Sequence, residues 1–119
     1  MIDNSTNKEF KLIIKLKEYI LSLEKVLVHI PNKDYYNKQA MREYVDNILY
    51  LVFLANTCED KIYKKKIKYE IIAKLNMLNF YLERYYLLKY ISKKEVIINS
   101  SKIEELTKMT YGWIKYDRK

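Results

Sequence analysis

Ile13-Ile14-Lys15-Leu16-Lys17-Glu18-Tyr19-Ile20-Leu21-Ser22-Leu23-Glu24-Lys25-Val26-Leu27-Val28-His29-Ile30-Pro31 is the stretch that decides the fold. Ile13, Leu16, Ile20, Leu23, Leu27 and Ile30 recur at 3-4-3-4-3 spacing, which places them on one face of a helix. Ile14, Leu21 and Val28 predict an apolar stripe wider than a coiled-coil seam, as in a helix that faces a globular core. Thr6 and Glu9 stand in capping-box spacing ahead of it, and Pro31 closes it.

Three further segments follow the same rule. The second carries Met41, Val45, Ile48, Val52 and Ala55 on one face, and its half from Ile48 to Ala55 is apolar all round. The polar segment Thr57 to Lys61 separates it from a third, whose main stripe is Ile71, Leu75, Leu78, Leu82 and Tyr85. Ile72, Met77, Phe80, Tyr81, Tyr86, Leu87 and Leu88 spread around the rest of that helix, which therefore needs more than one neighbour. The fourth starts at a capping box formed by Ser92 and Glu95 and points Val96, Ser100, Ile103, Leu106, Thr110 and Trp113 inward. The expected helices span roughly 7–29, 34–56, 62–90 and 93–113, or about 30 to 42 Å each at 1.5 Å per residue. Matched lengths and short loops predict an all-α, antiparallel up-down-up-down four-helix bundle in a single domain covering 1–119.

Composition agrees. One Gly and one Pro in 119 residues leave almost no material for the tight turns of an antiparallel sheet. The single glycine, Gly112, precedes the single tryptophan, Trp113, at the close of the last helix. A helix interior disfavours glycine, so Gly112 is expected either to end the helix or to admit another backbone closely, with Trp113 as the terminal core anchor. The longest apolar run, Ile48 to Ala55, is far short of the ~18 residues of a membrane span, and charged residues interrupt every apolar run near the start. The expectation is a soluble, cytoplasmic protein with no membrane partner.

The residues exclude most catalytic chemistries. One glycine cannot build a phosphate-binding loop, and one histidine, His29, cannot supply the paired Glu-x-x-His motifs of a di-iron bundle. Cys58 stands beside Glu59 and Asp60, whose charges disfavour a thiolate. The expectation is no enzyme, no metal and no cofactor.

What remains is the charge, +8 overall, carried by twenty lysines and only three arginines. Lys61, Lys64, Lys65, Lys66 and Lys68 crowd eight positions and are interleaved with Tyr63 and Tyr69. In an up-down-up-down bundle the start of the third helix shares an end with the finish of the fourth, which adds Lys108, Lys115, Arg118 and Lys119. Lysines suit phosphate contact without sequence preference, and tyrosines between them can stack on unpaired bases. A lysine-biased composition and a solvated helix end are the bland alternative.

Leu88-Lys89-Tyr90-Ile91-Ser92-Lys93-Lys94-Glu95, Ile103, and Glu105 to Lys115 ending Gly-Trp-Ile-Lys resemble the accessory variability determinant family of diversity-generating retroelements. The resemblance extends more weakly upstream through the Ile30-Pro31 turn to about Phe10, and the wider relatives are four-helix bundles encoded in ribosomal RNA intervening sequences. It implies a basic homopentamer that binds the retroelement's reverse transcriptase and its RNA template, or single-stranded DNA, in support of mutagenic retrohoming. The chain departs from the family where Tyr111 replaces a small residue, Lys108 an arginine, and Asn32 the lysine after Pro31. Surplus apolar surface on helices two and three, with Phe80, Tyr81 and Leu88 among its residues, is what an assembly surface requires. The alternative is a structural or interaction bundle of the intervening-sequence type with no polymerase partner.

Overall fold

The first apolar stripe forms a helix, but one turned about its axis from the expected face. In the computed structural model, which describes residues 4–117 without the side chains of 4–10, α1 runs Asn4–Leu27. Leu12, Leu16, Tyr19, Leu23, Val26 and Leu27 are buried, with Ile30 in the turn that follows. Ile13 and Ile20 lie half-buried at the edge, and Ile14, Leu21 and Val28 are exposed instead of widening the stripe inward. The reason is that α1 has two neighbours, not three. Arg42 of the second helix grips Glu24 on one flank with 2.9 Å hydrogen bonds, while Lys15 pairs with Glu105 and Ser22 with Asn99 of the fourth helix on the other. Positions 14 and 21 fall opposite the core, between those flanks. Thr6 lies within the helix and not ahead of it, and the side chains of Thr6 and Glu9 fall outside the described residues.

A 3-10 turn at Asn32–Asp34 follows Pro31 and leads into α2 (Tyr35–Thr57). Its exposed residues Tyr50 and Phe53 show that the apolar run from Ile48 is not buried all round. α3 (Lys61–Leu87) begins at Asp60, whose side chain accepts the amides of Ile62 and Tyr63 at 3.0 and 3.1 Å and so satisfies two orphan donors. It ends three residues earlier than the pattern predicts. Lys89 adopts φ 64° while Tyr90 N–H bonds the carbonyl of Tyr85 and Lys89 N–H that of Tyr86, the double closure that normally recruits glycine. α4 (Lys93–Tyr116) opens with the expected capping box, Ser92 and Glu95 exchanging two 3.1 Å bonds.

The described residues therefore form four α-helices and no strand, with α2 and α4 each packed on both α1 and α3. One core joins all four, from Leu16 and Leu23 through Met41, Ile48 and Val52 to Leu75, Leu78, Leu82, Ile103 and Leu106, and Trp113 closes it at 1 % exposure. Such an arrangement is compatible with a four-helix bundle.

Gly112 does not end the helix, and no other backbone of this chain approaches it closely. It lies inside α4, which continues to Tyr116, its φ is not positive, and a Cβ built there meets nothing within 4 Å. Glycine here only weakens the helix. Gly112→Ala is expected to raise stability by roughly 0.5 to 1 kcal/mol in thermal unfolding. A loss of stability instead would mean that another chain packs against this α-carbon.

Candidate nucleic-acid interface

The lysine run occupies the first two turns of α3, where helical periodicity divides it among faces. Lys61 and Lys65 share one row and are exposed, as is Lys66 on a different face. Lys64 and Lys68 share another row, which turns toward the last turn of α4. There Asp117, the C-cap of α4, pairs with Lys68 and lies 4.0 Å from Lys64. These ion pairs bring the start of α3 and the end of α4 together, which is the juxtaposition that the basic end requires.

Lys68 does not face solvent. Its side chain is 1 % exposed, its ammonium sits 4.0 Å from the centre of the Trp113 ring, and the Asp117 carboxylate holds its tip. Burial pulls its pKa down to about 7, and Lys64 pushes the same way. The carboxylate of Asp117 acts in the opposite sense, stabilising the charged form. Lys68 is therefore a packing and ion-pairing residue, and its inclusion among phosphate-binding candidates is corrected by its burial.

The other candidates are dispersed. Lys115 is exposed on the last turn of α4, whereas Lys108, about two turns earlier, is exposed and paired with Glu104 at 3.2 Å. Arg118 and Lys119 lie outside the described residues. Phe80, on α3, and Leu88, just after it, are exposed away from the lysines. Tyr81 is half-buried between Tyr44 and Tyr85, and the Arg84 guanidinium lies 5.0 Å from the Phe80 ring and 5.4 Å from that of Tyr81. Tyr63 and Tyr69 are exposed beside the lysine run.

A cavity of about 610 Å³ opens at the basic end, lined by Lys61, Lys64, Lys65, Lys68, Glu59 and Asp117 and by parts of Asn56, Thr57, Cys58, Ile62 and Ile114. Lys66 is not among its lining residues. Cys58 is half-buried, with its thiol 3.5 Å from the Asp60 carbonyl. The sequence reading missed Asp117 as the anchor of this end and Asp60 as the helix cap that fixes the direction of the lysines. An aspartate one residue ahead of a helical pattern is a readable cap signal, whereas a contact between positions 68 and 117 has no local signature.

Among the described residues no cluster of three or more His, Cys, Asp or Glu side chains could hold a metal ion, and no helix is long and apolar enough to cross a membrane. Comparison with protein-family models, with curated proteins and with solved structures gives no match for this chain.

Proposed function

We propose that the protein is a non-catalytic, cytoplasmic accessory subunit that binds RNA or single-stranded DNA through the basic end of an antiparallel up-down-up-down bundle. The observation that carries the reading is the exposed cationic group at the head of α3. Lys61, Lys65 and Lys66 project into solvent with no carboxylate paired to them among the described residues, and Tyr63 stands among them. Phosphate contact through lysine releases counterions and is largely blind to sequence, and exposed tyrosine rings accept unpaired bases. The resemblance to the accessory variability determinant family supplies the biological setting: a reverse transcriptase partner, its template RNA and mutagenic retrohoming.

The test is a titration of unrelated RNA and single-stranded DNA sequences at several salt concentrations. The triple variant Lys61→Gln, Lys65→Gln, Lys66→Gln is expected to bind all of them at least about tenfold more weakly at low salt. Its salt slope should flatten by roughly 0.7 for each phosphate that a lysine no longer neutralises. Unchanged affinity and slope in the variant would remove the reading.

The same proposal includes a homo-oligomer, five subunits by resemblance. Tyr50 and Phe53 on α2, Met77, Phe80, Tyr86 and Leu87 on α3, and Leu88 at its end are exposed, more large apolar surface than a lone bundle of this size needs. Light scattering at micromolar concentration should report a closed assembly, and a monomer would refute it. A second reading, an interaction bundle without a polymerase, is favoured by the exposed pair Ile14 and Leu21 on α1, a helix that does not pack on α3. A reverse-transcriptase gene and a template and variable repeat pair beside this gene would decide for the first reading.

A further inference from the structure

We propose that the cavity between the head of α3 and the tail of α4 seats a terminal phosphate monoester together with its nucleoside, so that the protein holds a strand end and not only a passing backbone. This deepens the nucleic-acid reading and rests on it for the identity of the strand.

Three observations carry the inference. First, the lining is basic: Lys68 is buried and tied to Asp117, and the remaining Lys61, Lys64 and Lys65 outnumber the one other carboxylate, Glu59. A terminal monoester carries about −1.5 to −2 at neutral pH, whereas each internal diester carries one charge, so the lining complements an end better than an internal linkage. Second, the cavity already handles an anion. Asp117 converges with Lys64 and Lys68 there, and Lys61 and Lys65 remain without a carboxylate partner among the described residues. Third, the volume of about 610 Å³ lies within the roughly 300 to 1,000 Å³ of small-ligand sites, and it is a recess where a continuous strand would need an open groove. Ile62 and Ile114 give it an apolar surface beside the lysines, suited to the base or ribose of a terminal nucleotide.

The experiment compares one single-stranded RNA prepared with hydroxyl ends, with a 5′-phosphate and with a 3′-phosphate, in direct binding titrations to the intact protein. One phosphorylated form is expected to bind roughly tenfold more tightly than the hydroxyl-ended form, a gain of the size that a charge-assisted contact supplies. Lys61→Gln with Lys65→Gln, both at exposed positions, should bring that ratio close to one, and a nucleoside monophosphate should compete away the advantage. Equal binding of all three RNAs with a steep salt dependence would overturn the end-binding proposal and leave the general nucleic-acid reading standing. Binding of the monophosphate alone, lost in the double variant, with no binding of any RNA, would retain the phosphate pocket and overturn the nucleic-acid reading. Absence of binding by every probe would overturn both.

Discussion

Trp113→Ala is expected to lower stability by about 3 to 5 kcal/mol, the range for truncating a fully buried aromatic side chain. The indole is among the largest fully buried groups, 1 % exposed in the core cluster that all four helices share. Truncation removes most of its buried area and opens a cavity that the surrounding helices close only in part. It also removes the ring under the Lys68 ammonium, 4.0 Å away, so a buried cation loses an attractive face worth about 0.5 to 2 kcal/mol. Trp113→Phe separates the two contributions, because a smaller aromatic ring keeps the face while giving up volume. Urea unfolding of both variants followed by helical circular dichroism is the measurement. The alanine variant should unfold at markedly lower denaturant and the phenylalanine variant should lie between it and the parent. A midpoint unchanged in the alanine variant would show that the indole contributes nothing to the core.

Helix number and the inner positions of each helix were legible because burial in an α-helical protein repeats every three or four residues. Met41, Val45, Ile48, Val52 and Ala55 and the α3 stripe from Ile71 to Tyr85 lie where their spacing puts them. The capping box of Ser92 and Glu95 was legible for a related reason, since both partners lie within one turn. Periodicity does not say how wide a face the neighbours cover. Ile14 and Leu21 fit an inward stripe equally well until α2 and α4 are seen to cover only the other side of α1. The same limit governs the basic end. Composition and spacing find the lysine run, but only the packing of α4 on α3 distinguishes Lys68, drawn onto Trp113 and Asp117, from Lys61, Lys65 and Lys66 in solvent. Gly112 does not end α4, because a glycine with an ordinary helical φ leaves the hydrogen-bonded ladder intact, and within the chain nothing crowds its α-carbon.

Asp117→Ala and Lys68→Met, which dismantle the same ion pair from opposite sides, are expected to have very different effects. Removing Asp117 leaves the ammonium of Lys68 enclosed without its carboxylate, and breaking such a pair by deleting one partner costs on the order of 3 to 5 kcal/mol when both groups are buried. Asp117 is itself partly exposed, so the loss should fall toward the lower end, about 3 kcal/mol, in the acid range where Lys68 stays charged in both proteins. Removing Lys68 instead leaves a carboxylate that water reaches and that still has Lys64 at 4.0 Å, while methionine fills the volume over the Trp113 ring with no charge to desolvate. Lys68→Met should therefore be close to neutral or mildly stabilising. The two variants also separate in their pH dependence. The folded-state pKa of Lys68 is lowered to about 7 from the ordinary lysine value of 10.5, so between those limits the unfolded chain binds the extra proton and the folded chain does not. Stability contributed by this group must then rise with pH across that window, and the penalty for enclosing its charge is fully present below it. In Asp117→Ala the opposing carboxylate is gone and the folded pKa falls further, so the rise begins at lower pH; the deficit against the parent shrinks as pH climbs to about 7, and above that the two curves run parallel. In Lys68→Met the rise due to this group is absent. Unfolding free energies of the parent and both variants between about pH 4.5 and pH 10 test the argument. Equal losses in the two variants, or a deficit in Asp117→Ala that does not shrink as pH rises toward 7, would show that Lys68 is not held as a buried cation by Asp117.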